Sequence, residues 1–122
     1  MNLTASCLCG AVRIDIRAEP LRVGICHCLD CRKRQGAMFH TFAVYPLAAA
    51  TVRGETRSYE SRRFCPTCGS PLFDVFGDEI EVGIGALDLP DPPAPSYESW
   101  IVRRAKWLPA FDVVHRYEHD RG

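Results

Sequence analysis

Alternating apolar and charged residues predict β-strands in the first half of the chain. Residues 11–17 read A-V-R-I-D-I-R, so that valine and isoleucine alternate with charged side chains. This period of two is typical of a strand with one buried face. Residues 37–45, A-M-F-H-T-F-A-V-Y, are rich in aromatic and β-branched residues, which favour strands. Residues 51–60, T-V-R-G-E-T-R-S-Y-E, predict a further strand region, bent at Gly54.

The second half of the chain predicts a hairpin, a last strand and an extended segment. Residues 71–76 and 79–86 are strand-like and flank a Gly-Asp turn signal. A last strand fits near Ser99–Arg103. Residues 88–96 contain four prolines, and proline excludes both a helix and a central strand. We therefore predict that this segment crosses the surface in an extended conformation.

The sequence predicts only short helices. Residues Leu29–Gln35 predict one or two turns that end at Gly36, and Leu47–Ala50 predicts a single turn after a proline. The chain has 122 residues, which suits one domain over residues 1–122. We find no internal repeat and no low-complexity tract. The sequence therefore predicts a single, mainly β domain of short strands and metal knuckles.

Composition and charge exclude several classes of protein. Apolar residues make up 47% of the chain and charged residues 25%, as in ordinary globular proteins. Fifteen basic residues balance fifteen acidic ones, so no net charge attracts nucleic acid or an anionic membrane. No stretch approaches the roughly 20 apolar residues of a membrane span, and the N-terminus lacks a signal-peptide pattern. We expect a cytoplasmic protein with reduced thiols.

Seven cysteines form three tight clusters. The odd number and the expected compartment argue against a disulfide framework. Sulfurs that are one or two residues apart lie on the same turn, which suits a metal ion. The clusters are Cys7 and Cys9 as C-x-C, Cys26, Cys28 and Cys31 as C-x-C-x-x-C, and Cys65 and Cys68 as C-x-x-C.

Two of the clusters resemble each other as half-sites. Cys7 and Cys9 precede the strand at 11–17, Cys65 and Cys68 precede the strand at 71–76, and a glycine follows each cluster. Glycine allows the positive φ angles that turn backbone N–H groups toward sulfur. Together the four thiolates would form a closed tetrahedral zinc site.

The remaining cluster has three sulfurs. Three protein ligands with a vacant position are typical of a catalytic zinc, which points to Cys26, Cys28 and Cys31. Spacing alone leaves another grouping open, in which Cys7 and Cys9 pair with Cys26 and Cys28.

The neighbours of the three-cysteine cluster have competing interpretations. His27 lies between two ligand positions, where the side chain of an extended segment points away from the metal. It is therefore less suited to binding the metal than to supporting a ligand, to acid–base chemistry or to the surface. Asp30 is expected to be solvated or to cap the helix, because carboxylates are hard ligands. The runs Arg32-Lys33-Arg34 and Arg62-Arg63 suit either a solvated face or the carboxylates of an acidic thiol.

Charge also limits the chemistry that a zinc ion at Cys26, Cys28 and Cys31 would support. Three thiolates give a zinc site a net charge of minus one, which makes it a weak activator of water. Such a site is better suited to holding another sulfur. A free thiol with a pKa near 8.5 is only slightly ionised at neutral pH, and zinc coordination would keep it as a thiolate.

The combined motifs resemble the glutathione-dependent formaldehyde-activating enzyme family, which also includes centromere protein V. The resemblance rests on C-L-C-G, on C-H-C-x-x-C-R with Gly36 downstream, and on F-C-P-T-C-G-S-P-L. G-A-L-D at 85–88, the proline segment and Lys106-Trp107-Leu108 fit the rest of the family pattern.

The resemblance implies a β-tent fold, which consists of short antiparallel sheets with zinc knuckles, and two zinc ions per chain. It implies an enzyme that joins glutathione to formaldehyde to give S-hydroxymethylglutathione, a carbon–sulfur lyase in the reverse sense. The substrate partner would be a small thiol, and no nucleic acid or membrane is implied. The implied structural zinc ligands are Cys7, Cys9, Cys65 and Cys68, and the implied catalytic zinc ligands are Cys26, Cys28 and Cys31.

Two hypotheses for the function follow. In the first, a zinc-bound thiolate attacks a small aldehyde, and His27 or Arg32 steadies the developing alkoxide. In the second, both zinc ions are structural in a non-catalytic binding module, and Trp100 and Trp107 mark a partner surface unless they pack in the core. An iron–sulfur protein is disfavoured, since the cysteine spacings do not match those of ferredoxins.

Overall fold

A computed structural model describes residues 2–122, which form eleven strands, one α-helix and three short 3₁₀ helices. The α-helix, α1, spans Leu29–Gln35, and the 3₁₀ helices span Leu47–Ala49, Ile84–Ala86 and Ile101–Arg103. The strands are β1 (Leu3–Ser6), β2 (Arg13–Ile16), β3 (Arg22–Cys26), β4 (His40–Pro46), β5 (Ala50–Arg53), β6 (Arg57–Tyr59), β7 (Arg62–Phe64), β8 (Pro71–Phe76), β9 (Glu79–Gly83), β10 (Tyr97–Ser99) and β11 (His115–Arg116).

The strands form a small sheet and a large one. The small sheet has the order β1-β2-β5, and the large sheet has the order β11-β10-β3-β4-β9-β8-β7-β6. The mainly β prediction is confirmed. Most strand pairs are antiparallel, as predicted, whereas β10 at one edge runs parallel to both β3 and β11. A parallel pair needs a long connection, and here most of the domain lies between β3 and β10.

The main hydrophobic core contains residues of both sheets. Ile14 and Ile16 of β2 are fully buried and pack in one cluster with Tyr45, Ile80 and Val82 of the large sheet. The charged positions of β2 remain outside this cluster, so the period of two identified the buried face correctly. A smaller cluster, formed by Cys26, Phe42, Val44 and Tyr97, lies beside the three-cysteine segment.

The predicted helix is confirmed at both ends. Cys28 caps its N-terminus, where its Sγ accepts a hydrogen bond from the Cys31 N–H. Gly36 ends it with φ 63°, and its N–H donates to the Arg32 carbonyl oxygen. The left-handed conformation is the reason that glycine occurs at this position.

The predicted strand over 51–60 divides at its glycine. Gly54 has φ 97°, and a Cβ at this position would overlap the Ala11 carbonyl oxygen. The segment before it, β5, pairs in the small sheet, whereas β6 lies at the edge of the large sheet. Gly54 is therefore the point where the chain passes from one sheet to the other.

The predicted strand at Ser99–Arg103 is wrong. Strand β10 ends at Ser99, and Trp100 takes a left-handed backbone conformation with φ 56° and ψ 42°. A 3₁₀ helix follows. Left-handed backbone is costly for a residue other than glycine and concentrates at functional sites.

No helix among residues 2–122 is long and apolar enough to cross a membrane.

A tyrosine ring covers a glycine where the parallel edge joins the sheet, and we predict that Gly24→Ala disrupts this contact. Gly24 lies opposite Tyr97, and an added Cβ would overlap the ring. The substitution should lower the free energy of unfolding by about 1–3 kcal/mol through overpacking, as measured by urea denaturation. Gly85→Ala is the control, because its Cβ would meet open space. Equal stability of the two variants would contradict the prediction.

Candidate metal centres

Four cysteines from distant parts of the chain meet at one place. Cys7 and Cys9 follow β1, and Cys65 and Cys68 lie between β7 and β8. All four sulfurs lie within 4.8 Å of one another. The Sγ atoms of Cys7 and Cys9 are 3.6 Å apart, and those of Cys9 and Cys65 are 3.7 Å apart.

These separations fit a tetrahedral zinc site. Zn–S bonds of about 2.3 Å place tetrahedral sulfurs about 3.8 Å apart. Hydrogen bonds with Ser70 lower the pKa of Cys68 to about 5, which favours the thiolate that a metal needs. The Val12 N–H donates to the Cys7 sulfur at 3.2 Å, as expected for a metal knuckle.

Glycine completes each knuckle as predicted. Gly10 has φ 80° and Gly69 has φ 77°, and no atom within 4 Å would obstruct a Cβ at either position. The backbone angle, not the space, therefore requires glycine. The N–H groups of both glycines close the turns by donating to the carbonyl oxygens of Cys7 and Cys65.

The other three cysteines form a second group at the start of α1. Cys26 ends β3, Cys28 caps the helix, and Cys31 lies in its first turn. Their sulfurs also lie within 4.8 Å of one another. The four-plus-three grouping is therefore present, and no group among residues 2–122 combines Cys7 or Cys9 with these three.

The three thiols differ in acidity because they share protons. A hydrogen bond from Cys31 lowers the pKa of Cys26 to about 6. The same hydrogen bond raises the pKa of Cys31, and burial raises that of Cys28. Cys26 is therefore the most acidic thiol of the group, and a bound cation would displace the protons of the others.

His27 does not join the three sulfurs. Its side chain is 0% exposed and lies beside Glu98, which is also 0% exposed, with 3.7 Å between Nε2 and Oε2. The rings of Phe39 and Phe111 flank it at centroid distances of 6.0 and 6.4 Å. Burial lowers the pKa of His27. The surface interpretation of this residue is therefore wrong, because the imidazole is enclosed.

Glu98 is the centre of a buried charge cluster that the sequence did not reveal. Its Oε2 lies 3.8 Å from Nε of Arg104 and 3.9 Å from Nε of Arg116. Neither oxygen of Glu98 and neither ring nitrogen of His27 has a hydrogen-bond partner among residues 2–122. A buried carboxylate persists only when charges of opposite sign compensate it, and here both arginines come from the C-terminal segment.

The C-terminal segment follows β10 and forms part of the site. The Tyr117 N–H donates to the Glu98 carbonyl oxygen at 2.9 Å, and the Trp100 N–H donates to the His119 carbonyl oxygen at 2.9 Å. The indole N–H of Trp100 donates to Oδ1 of Asp120 at 2.7 Å. Trp100 thus packs beside the three-cysteine group, whereas Trp107 is 71% exposed.

Two cavities adjoin the three-cysteine group. One, of about 240 Å³, touches Cys26 and Cys31. The other, of about 390 Å³, touches Cys28 and Trp100. Asp120 lines both cavities. The cations that line them are Arg22, Arg103 and Arg121, none of which belongs to the two basic runs of the sequence.

The predicted basic residues have other contacts. Arg34 pairs with the buried Asp74 and donates to the Phe73 carbonyl oxygen, which fixes α1 on β8. Burial raises the pKa of Asp74 in spite of this arginine. Arg32 lies beside the sulfur of Met38 and lines neither cavity at the three cysteines.

Asp30 is 77% exposed on its side chain, which confirms the expectation of solvation. Its carboxylate also lies 3.5 Å from Arg62.

Comparisons with known proteins give a family and one related fold. A family profile described as glutathione-dependent formaldehyde-activating enzyme matches residues 2–103. A crystal structure of a Rhodobacter sphaeroides protein, a structural genomics target, is 27% identical and superposes with a TM-score of 0.57. The alignment covers 73% of this chain and 91% of that one. No curated protein matches.

We predict that Glu98→Gln loosens the C-terminal segment, because Arg104 and Arg116 would then face a neutral amide. The free energy of unfolding should fall by about 1–3 kcal/mol, and amide hydrogen exchange should accelerate over residues 113–120. Glu118→Gln, at an exposed position of the same segment, is the matched control. If both variants exchange at the same rate, Glu98 does not anchor this segment.

Proposed function

The chain belongs to the glutathione-dependent formaldehyde-activating enzyme family, and we propose that it joins a small thiol, glutathione or a similar one, to formaldehyde or a related small aldehyde. The observation that carries the proposal is the group of Cys26, Cys28 and Cys31, which has three sulfurs and a cavity on each side. The other group has four sulfurs and suits a structural zinc.

The three-cysteine group suits zinc through its ligand set. Its sulfurs are soft donors, and Cys26 is already acidic. Zinc bound there would supply the positive charge that keeps a substrate thiol ionised at neutral pH. Cys26, Cys28 and Cys31 would hold this ion, and we place the chemistry beside them.

The residues around the cysteines would bind the two reactants. Phe42 and Tyr97 line the cavity beside Cys26 and Cys31, and Arg121 lines it together with Glu81 and Asp120. The Arg121 guanidinium lies 5.9 Å from the centre of the Tyr97 ring. Arg121 would therefore attract a carboxylate of the thiol.

Arg22, in the same cavity, is already balanced. It forms a two-point ion pair with Glu79, at 2.7 and 3.2 Å, and Glu79 holds it in place. Its role would be to shape the cavity, which leaves Arg121 as the cation for substrate.

The reaction requires little more than proximity and orientation. The thiol loses its proton, its sulfur attacks the carbonyl carbon, and the resulting alkoxide takes a proton to give the hydroxymethyl thioether. Holding the two reactants together supplies most of the rate gain. We propose that water donates the proton that the alkoxide takes up, because His27 is enclosed by Phe39, Phe111 and Glu98.

We predict that Cys28→Ser abolishes thiol binding while the fold is kept. In protein loaded with Co²⁺, adding glutathione should change the visible spectrum of the wild type but not that of the variant. Turnover of formaldehyde with glutathione should fall at least about 100-fold, since the site loses one of three ligands.

Leu8→Ala is the control for this experiment, since Leu8 is exposed beside the four-cysteine group. It should behave as the wild type in both measurements. If Cys28→Ser retains thiol binding and turnover, the proposed function is wrong. A wild-type spectrum that does not respond to any thiol would favour the binding module, in which the second metal site is closed.

A further inference from the structure

The cavity beside Cys26 and Cys31 contains carboxylates as well as cations. In the proposed function, Arg121 binds a carboxylate of the thiol. The same cavity, of about 240 Å³, is also lined by Glu81 and Asp120. A carboxylate that faces a substrate repels other carboxylates and attracts ammonium groups. The two acidic residues therefore bear on which thiols this cavity accepts.

The side chain of Glu81 lies on the same face of the large sheet as that of Cys26. Cys26 of β3 is directly opposite His40 of β4, and residues opposite each other in neighbouring strands project to the same face. The Glu81 Oε2 atom lies 3.7 Å from Nε2 of His40, which places the Glu81 side chain on that face too. Its carboxylate, and not its backbone, is therefore on the side of the sheet where the cysteines lie.

Glu81 has no arginine or lysine partner. Among residues 2–122, the only basic nitrogen within 4.0 Å of its carboxylate is Nε2 of His40. A separation of 3.7 Å is longer than a hydrogen bond, so this contact leaves the carboxylate oxygens able to accept hydrogen bonds. The Glu81 side chain is only 21% exposed. A carboxylate with so little access to water gains from a cationic hydrogen-bond donor, and a substrate ammonium group would be one.

Asp120, the second carboxylate of the cavity, is less suited to select a substrate. Its Oδ1 accepts the indole N–H of Trp100 at 2.7 Å, and the residue is exposed and precedes Arg121 in the chain. Glu81 instead belongs to β9, which lies between β4 and β8 in the interior of the large sheet. Its position relative to Cys26 is therefore fixed by the hydrogen bonds of the sheet.

The balance of charge around the cavity favours a substrate that carries both signs. Arg22 is balanced by its two-point contact with Glu79. This leaves one cation, Arg121, and two carboxylates, and zinc bound by three thiolates would add a net charge of minus one. A thiol that carries only carboxylates would face an excess of negative charge. A thiol that also carries an ammonium group would have a partner for each of its charges.

We propose that Glu81 selects thiols that carry a free ammonium group, by accepting a hydrogen bond from this group while Arg121 binds a carboxylate. The substrate class is therefore the zwitterionic thiols, which include thiol amino acids and γ-glutamyl thiols. This inference rests on the proposed function, because it concerns the thiol held at the three-cysteine group. Glu81 determines recognition of the thiol and takes no part in the transfer of protons.

The experiment measures thiol binding to the Co²⁺-loaded protein through its visible spectrum, with two pairs of probes. Glutathione is compared with glutaryl-cysteinylglycine, and homocysteine with 4-mercaptobutyrate. The second member of each pair lacks only the ammonium group. In at least one pair, the wild type should bind the first member about tenfold more tightly, because its partner lacks a charge-assisted hydrogen bond.

The variant Glu81→Gln should reduce this preference at least about fivefold, because the amide is neutral. Its affinity for the thiol without an ammonium group should stay the same or rise, since a repulsive charge is removed. Differences in acidity between the thiols cancel, because the same pair is compared in both proteins.

Glu55→Gln is the matched control, since Glu55 is exposed and lines neither cavity at the three cysteines. It should keep the preference of the wild type.

Two results would overturn the inference and leave the proposed function standing. In the first, thiols change the spectrum but the wild type binds both members of each pair equally well. In the second, Glu81→Gln keeps the preference of the wild type, or weakens both members of a pair to the same extent, as a purely structural role would. If no thiol changes the wild-type spectrum, the proposed function is wrong and this inference is wrong with it.

Discussion

Crowding of thiolates is the constraint on which the rest of this structure depends. Four sulfurs within 4.8 Å cannot all ionise unless a cation compensates their charge. The uneven acidity of the group shows this: the pKa of Cys68 is lowered to about 5 by Ser70. The hydrogen bond of the Ala11 backbone lowers the pKa of Cys9, but desolvation and hydrogen bonds with the three neighbouring thiols together raise it to about 11. A zinc ion would resolve the conflict and link the end of β1 to the turn before β8. Since these strands belong to different sheets, the metal would hold the two walls of the core together.

The three-cysteine group is built differently. All its sulfurs come from residues 26–31, so a metal there would close one short loop and link no distant parts of the chain. Its surroundings come from far away, however: β10 supplies Glu98, and the C-terminal segment supplies Arg104, Arg116 and Asp120. The family profile ends at residue 103. Most residues that line the two cavities at the cysteines lie within the matched part, and only Asp120 and Arg121 lie beyond it.

Local patterns predicted the parts of this fold that local physics determines. The start and end of α1, the hairpin at Gly77 and the glycines of both knuckles depend on neighbouring residues, and the sequence indicated each of them. The four-plus-three grouping was also predicted, although spacing left an alternative that only the structure removed. The roles of the two groups, structural and catalytic, stay predictions.

The remaining features depend on distant contacts. Strand β3 contains Gly24, which weakens the strand pattern, and it is stabilised by the Tyr97 ring from the far end of the chain. The burial of Glu98 could not be predicted from the sequence, because only the fold brings its partners Arg104 and Arg116 to it. The basic runs were recognised as candidates, but nothing in the sequence showed that Arg34 would pair with the buried Asp74.

Two zinc ions of unequal lability are expected on each chain, because one would have four protein ligands and the other three. Zinc content per chain tests this. Protein purified under reducing conditions without added metal or chelator would be measured before and after mild chelation, with circular dichroism recorded in parallel. We expect two zinc ions, one removed readily from Cys26, Cys28 and Cys31 while the fold persists, and one retained. A single zinc that resists chelation, and that neither reduction nor added zinc raises to two, would contradict it.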